Sequence, residues 1–139
     1  MEKKYDQLTK ELHDLFSSNQ FDKCLELAAE NAEVTATALG MTFHGRNEFA
    51  NFMMGFKQAF PDMVITHKNI VANGNKIAVE FIATGTHTGP LPGPMGLIPA
   101  TGKKVTLNVS EFIDWQNGQF VKLVNYQDSA SLMRQIGAM

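Results

Sequence analysis

Apolar residues fall on every second position through the stretch VTLNVSEFIDW, residues 105 to 115. Leu107, Val109, Ile113 and Trp115 share one parity, and Glu111 stands in the middle of their row. Period two predicts a half-buried strand. A lone carboxylate on its apolar face is costly unless it is paired, hydrogen-bonded or protonated. Asn117-Gly118 then marks a hairpin, with FVKLVNYQD as the returning strand. A two-residue Asn117-Gly118 loop pairs Trp115 with Phe120 and sets Glu111 opposite Val124. A three-residue Gln116–Gly118 loop pairs Trp115 with Gln119 and puts Val121, Leu123, Asn125 and Gln127 beside Glu111. One residue of register exchanges the two faces, and local chemistry allows both loops.

The same reasoning orders the rest of the chain. Tyr5, Leu8, Leu12, Leu15 and Phe16 recur at helical spacing and predict a helix over 3–17. A short helix is expected at 21–30 and a strand over 32–43. His44-Gly45 turns the chain, and Glu48 places an acid in the first turn of the next helix. Phe49, Phe52, Met53, Phe56 and Phe60 give that helix one broad apolar face, and Pro61 stops it. Strands over 64–72 and 76–86 flank Asn73-Gly74, a second hairpin signal. Ile77, Val79, Phe81, Ala83, Gly85 and His87 share a parity. Residues 88–102 hold four of the five prolines and also Leu91, Met95, Leu97 and Ile98, which predicts a flap over a pocket or a subunit contact. Asp128-Ser129 caps a last helix that ends at Gly137. Helices first and strands later predict an α+β fold in one domain, residues 1–139.

Composition narrows the function. A net charge of −2, with only Lys3-Lys4 and Lys103-Lys104 as adjacent basic pairs, argues against nucleic acid. Cys24 is the single cysteine, so no intramolecular disulfide forms, and its neighbours Phe21, Leu25 and Ala28 place it in helix packing. No apolar run reaches membrane-spanning length and MEKKYDQL carries no leader pattern, so a cytoplasmic protein is expected. His13, His44, His67 and His87 are scattered, and no metal site is expected.

The segments HGRNEFANFMMGFKQAFPDM (44–63), ATGTHTGP (83–90), ATGKKVTL (100–107) and NGQFVKLVNYQDSASLMRQIG (117–137) together resemble the SnoaL-like polyketide and ester cyclases of the nuclear-transport-factor-2-like superfamily. The resemblance implies a cone-shaped α+β barrel, a curved antiparallel sheet wrapped around N-terminal helices. It implies an apolar pocket for a hydrophobic small molecule, no cofactor and commonly a homodimer. The best-known members of that family close a ring by intramolecular aldol condensation, in which a carboxylate removes a proton alpha to a carbonyl. The resemblance favours the three-residue hairpin loop, and so an inward Glu111, Leu123, Asn125 and Gln127. Asn125 falls where such cyclases hold an acid/base Asp, and Glu111 where relatives hold a His or an Asp. Glu111 then takes the titrating role, with Asn125 as a neutral donor. With the alignment shifted, Asp128 is the displaced Asp. Phe52, Phe56, Phe60, His87, Val109, Ile113, Leu123 and Gln127 are the expected pocket residues. Two readings stand side by side: a cyclase or isomerase, and a non-catalytic binding protein with the same pocket. His44 and Asp62 are explained by capping and turn chemistry.

Overall fold

The structure is a computed structural model that describes residues 4–93 and 95–139. Lys3, the expected first residue of the opening helix, and Pro94 of the flap lie outside the described residues. The chain runs α1 (Tyr5–Ser17), α2 (Phe21–Glu26), β1 (Ala28–Ala36), β2 (Met41–His44), α3 (Gly45–Ala59), β3 (Val64–Asn73), β4 (Lys76–Thr86), β5 (Leu91–Gly93), β6 (Gly96–Ile98), β7 (Lys104–Gln116), β8 (Gln119–Gln127) and α4 (Ser129–Gln135). Six strands form one curved sheet in the order β2-β1-β8-β7-β4-β3, and β5-β6 is a separate small hairpin. The α+β class and the curved sheet over the N-terminal helices are as expected.

Two boundaries and one pairing differ from the sequence reading. The second helix stops at Glu26, and the expected strand over 32–43 is two strands separated by a turn. β1 pairs with β8 in parallel, so the sheet is mixed; every other pair is antiparallel. β1 and β8 are joined through most of the chain, and local periodicity carries no information on such a pairing.

The central strands obey period two. Along β7, inward side chains from Val105 to Trp115 are buried in strict alternation, and Glu111 is buried in the same row. β4 supplies Ile77, Val79, Phe81 and Ala83 to that face, each paired with its β7 neighbour. Helix α3 lies on the concave side: Phe49, Phe52 and Met53 are buried, and Phe49 meets Phe120 edge-on at 5.1 Å. Trp115 is fully buried, stacks on Tyr5 at 5.7 Å and donates Nε1–H to Thr9 Oγ1 at 3.1 Å. Burial of an aromatic body with its polar atom satisfied holds α1 against the sheet.

The β7–β8 turn corrects the three-residue expectation. The loop has two residues, Asn117 (φ 54) and Gly118 (φ 80), and it pairs Gln116 with Gln119 and Trp115 with Phe120. Two consecutive positive-φ residues give the turn whose twist matches the strands. The register then shifts, with Asp114 opposite Lys122, so Val121 is an extra residue on β8. That bulge restores the inward set named for the longer loop: Ile113 faces Leu123 and Glu111 faces Asn125. Phe120, not Val121, is the buried residue next to the turn.

The end of β4 is locked onto the end of α3. Asp62 accepts from Thr86 N at 2.7 Å and Thr86 Oγ1 at 2.8 Å, and these bonds hold its carboxyl below the usual carboxylate range. Thr88 N and Gly89 N both donate to Ala59 O. A Cβ at Gly89 would fall 1.8 Å from the backbone oxygen of Gln58. Gly89→Ala should therefore destabilise the fold by roughly 1–3 kcal/mol, measured by urea unfolding; an unchanged midpoint would contradict the close approach.

Candidate active site

Inside the concave face lies a narrow apolar cleft. It is lined by α1 (Leu12, His13, Phe16), α3 (Phe49, Phe52, Met53, Phe56), and sheet residues that include Phe81, Val109, Glu111, Leu123, Asn125 and Gln127. The centre of a water-sized sphere can move through about 60 Å³ of it. A single water needs on the order of 10–15 Å³ by that measure, so the cleft admits a functional group and not a large ligand. Beside it is a wider apolar chamber of about 480 Å³, bounded by α3, the β1–β2 turn, β5 and α4. Phe52, Phe56 and Gln127 line both spaces and form the wall between them.

Glu111 is the charged centre of the cleft. Its residue is 5% exposed. Oε1 is 2.7 Å from His13 Nε2, and Oε2 accepts from Asn125 Nδ2 at 2.8 Å. Asn125 presents N–H to it, and His13 does so in its Nε2–H tautomer, the partner an ionised carboxylate requires because it only accepts. Charge-assisted hydrogen bonds of this length compensate the loss of water that burial imposes. With its amide nitrogen turned to Glu111, Asn125 leaves Oδ1 buried without a partner among the described residues. Such an orphaned acceptor is costly and rare, and it is positioned to accept from a hydroxyl or an enol of a bound molecule.

His13 is the residue that sequence reasoning missed. Its other ring nitrogen, Nδ1, is 2.9 Å from His67 Nε2 on β3, and the two rings stack at 5.0 Å. Four histidines far apart in sequence gave no spacing motif, yet the fold joins two of them to Glu111. A signal existed in α1: Thr9, His13 and Phe16 follow i, i+4 and i+3 steps on the buried stripe. A polar residue inside an apolar stripe asks for a partner across the core.

Burial and repulsion from His13 push the His67 imidazole below its ordinary value of 6.5; Lys10 adds to this, and Asp14 and Glu111 oppose it. The folded value then lies below the unfolded one. Between them the unfolded chain binds more protons, so stability falls as pH drops below 6.5. Thermal unfolding at stepped pH should show this loss, and His67→Gln should reduce it; an equal slope in both proteins would contradict the assignment.

The remaining expected residues divide. Phe52, Phe56, Val109, Leu123 and Gln127 line the cleft, as do Glu111 and Asn125. Ile113 is buried beyond the cleft, and Phe60 lines the chamber instead. His87 does not reach the cleft: it is fully buried against Phe60, with Nδ1 3.0 Å from Thr101 Oγ1. Asp128 is exposed and caps α4 by accepting from Ser131 N at 3.1 Å. The fold thus brings Asn125 and Glu111 together and leaves Asp128 outside. In the flap, Leu91 is buried and lines the chamber, whereas Met95 and Leu97 point outward. Cys24 is buried, which pushes its thiol up to about 11, and Sγ is 3.7 Å from Leu12 O; it packs, as expected, and is not poised as a nucleophile.

A sequence profile of the SnoaL-like polyketide cyclases matches residues 6–136. The chain belongs to this family. Solved structures with the same fold include a candidate SnoaL-like polyketide cyclase from a Jannaschia species, at 17% identity and TM-score 0.86, over 100% of this chain and 99% of that one. IdmH of Streptomyces antibioticus, a candidate polyketide cyclase, shares 24% identity at TM-score 0.82, covering 97% of this chain and 99% of its own. A Catenulispora acidiphila protein with a ketosteroid isomerase-like fold matches at 13% identity and TM-score 0.79, over 95% and 93% of the two chains. Among curated proteins no sequence matches. At these identities the structures establish the fold, and the polar residues of this SnoaL-like chain's cleft are Glu111, His13, Asn125 and Gln127. No described helix is long and apolar enough to cross a membrane.

Proposed function

We propose that this SnoaL-like protein is an acid/base enzyme that cyclises or isomerises a mostly apolar carbonyl compound without a cofactor. One observation carries the reading: Glu111, a buried carboxylate, faces an apolar cleft between the Asn125 amide and the His13 imidazole. Glu111 takes a proton from the carbon alpha to a carbonyl, and the electron pair moves to the oxygen as an enolate. In a cyclisation the enolate carbon attacks a second carbonyl of the same molecule. One C–C bond forms, that carbonyl oxygen becomes an alkoxide, and the proton held by Glu111 returns to it. In an isomerisation the proton returns to a different carbon. Neither needs an oxidant. On this reading Glu111 moves the proton, His13 holds the carboxylate in place, and Asn125 Oδ1 accepts from a substrate hydroxyl. The cleft receives the reacting carbonyl, and the adjoining chamber, with Phe56, Phe60 and Leu91, takes the apolar body of the molecule.

A second reading is favoured by one feature. Both Glu111 oxygens already accept hydrogen bonds, as a structural buried carboxylate does. On that reading the protein binds the same apolar ligand without turnover. Mass spectrometry of small molecules that copurify with the protein, followed by incubation with each, separates the two. Conversion supports the enzyme; tight binding with no conversion of any ligand supports the binding protein.

We also place a second copy of the chain against the outer face of the sheet. Phe112 is 55% exposed and Tyr126 47% exposed there, packed edge to face at 5.9 Å. Isolated apolar residues are common on surfaces, but paired exposed aromatics mark contact sites. Sedimentation should give a dimer that Phe112→Lys weakens; a monomer at micromolar concentration contradicts this.

A further inference from the structure

Glu111, His13 and His67 do not converge on a point. His13 stands between the other two and offers one nitrogen to each, at 2.7 Å and 2.9 Å. They form a line running from β7 through α1 to β3. Glu111 and His13 are buried, at 5% and 4% exposure, and His67 is half-buried. Of these three groups only His67 reaches the surface. Phe81 flanks both rings, at 4.6 Å from His13 and 6.5 Å from His67. The line is thus walled by apolar surface on its course through the core.

We propose that the Glu111–His13–His67 line exchanges protons between the cleft and solvent, with His67 as a positioning residue that donates to the His13 nitrogen left bare by the Glu111 contact. The proton count follows from the two short gaps, each of which holds one hydrogen. With Glu111 ionised, the hydrogen of the inner gap is on His13 Nε2. Neutral His13 then has a bare Nδ1, which requires a donor, and His67 Nε2–H supplies it. A proton that binds His67 at Nδ1 moves the chain one step. His67 Nε2–H breaks as His13 Nδ1–H forms; His13 Nε2–H breaks as Glu111 Oε1–H forms. One proton enters from solvent, one arrives on Glu111, and both rings end neutral in the opposite tautomer. The reverse sequence discharges Glu111. Both facing nitrogens cannot carry hydrogen at 2.9 Å, so the pair accepts at most one extra charge while the contact lasts. The titratable groups around His67 are Lys10, His13 and Asp14 of α1 and Glu111 of β7.

The inference rests on the reading of Glu111 as the proton-transfer group. Its test observes ring protons in the resting protein, so either can fail without the other. The measurement is NMR of protein labelled with ¹⁵N-histidine, at neutral pH, in wild type, His67→Gln and His67→Leu. Wild-type His13 should be the Nε2–H tautomer with a bare Nδ1. In His67→Gln the amide still donates to Nδ1, so the tautomer should persist, but an amide does not relay protons. Exchange of the His13 ring proton with water should slow by about tenfold or more. In His67→Leu both donor and relay are gone: the Glu111 contact keeps His13 in the Nε2–H tautomer, but its Nδ1 signal should shift as the hydrogen bond is lost and ring-proton exchange should slow at least as much as in His67→Gln. Wild-type His13 as the Nδ1–H tautomer would overturn the assignment. So would an unchanged His13 spectrum in His67→Leu, or undiminished exchange in His67→Gln. If His67→Leu does not fold, the wild-type tautomer and the His67→Gln exchange rate still decide.

Discussion

Replacing His13 with leucine should destabilise the protein by about 2–4 kcal/mol at neutral pH. The side chain contributes ordinary packing, which leucine largely retains, in contact with Phe81 and beside Leu12 and Phe16. What leucine removes is the 2.7 Å hydrogen bond to Glu111 Oε1. The carboxylate stays in place among Val109, Phe81 and Leu123 with Asn125 as its one remaining donor. A buried charge that loses a partner costs much more than the same pair replaced as a unit. His13→Leu combined with Glu111→Leu should therefore recover most of the loss, because the apolar cleft then contains no carboxylate. Urea unfolding of the four proteins measures the coupling. Additive effects, with the double variant as weak as the sum of the singles, would show that His13 and Glu111 do not interact energetically.

Glu111→Gln should leave fold and ligand affinity nearly intact and lower turnover by about 10²–10⁴-fold. Glutamine keeps the length and planarity of the side chain. Its oxygen can accept from Asn125, and its amide can donate to His13 if that ring presents the opposite tautomer. What it cannot do is carry a proton away from carbon. Loss of turnover with an unchanged dissociation constant identifies the group as chemical; a parallel loss of both would identify it as a binding residue. Asn125→Asp is the informative companion. It puts a second acid beside Glu111 and sets two carboxyl groups against each other across the 2.8 Å contact. Like charges at this range cannot both be ionised, so the variant should share one proton between the two and change the pH profile more than the maximal rate.

Much of this site was legible in the sequence because β7 follows period two without interruption. Glu111 sits on the parity of Leu107, Val109, Ile113 and Trp115, and that parity alone puts it in the core. Asp128 before Ser129 was legible as a cap, and a cap is what it is. Three features were not legible, each for a physical reason. The β7–β8 turn is the two-residue form, and Val121 compensates by bulging, so a turn and a bulge together imitate the face set of a longer loop. Local sequence does not distinguish these two solutions. The parallel β1–β8 pairing joins residues as distant as Ala36 and Asn125. The His13–His67 contact spans α1 and β3, and its only trace is a polar residue on an apolar helical stripe. Ile113 and His87 share the inward parity of their strands, but inward positions on this curved sheet divide between cleft and solid core, and both fall in the core.

The central claim is that Glu111 removes a proton from carbon, and hydrogen exchange at that carbon tests it without knowledge of the natural product. A panel of apolar β-keto esters and diketones, incubated with the protein in deuterated water and followed by NMR, reads deuterium entry alpha to the carbonyl. The account predicts that wild-type protein accelerates exchange for members that fit the cleft and chamber, and that Glu111→Gln returns the rate to that of buffer. Equal exchange in wild type and Glu111→Gln, or none above buffer across the panel, would contradict it.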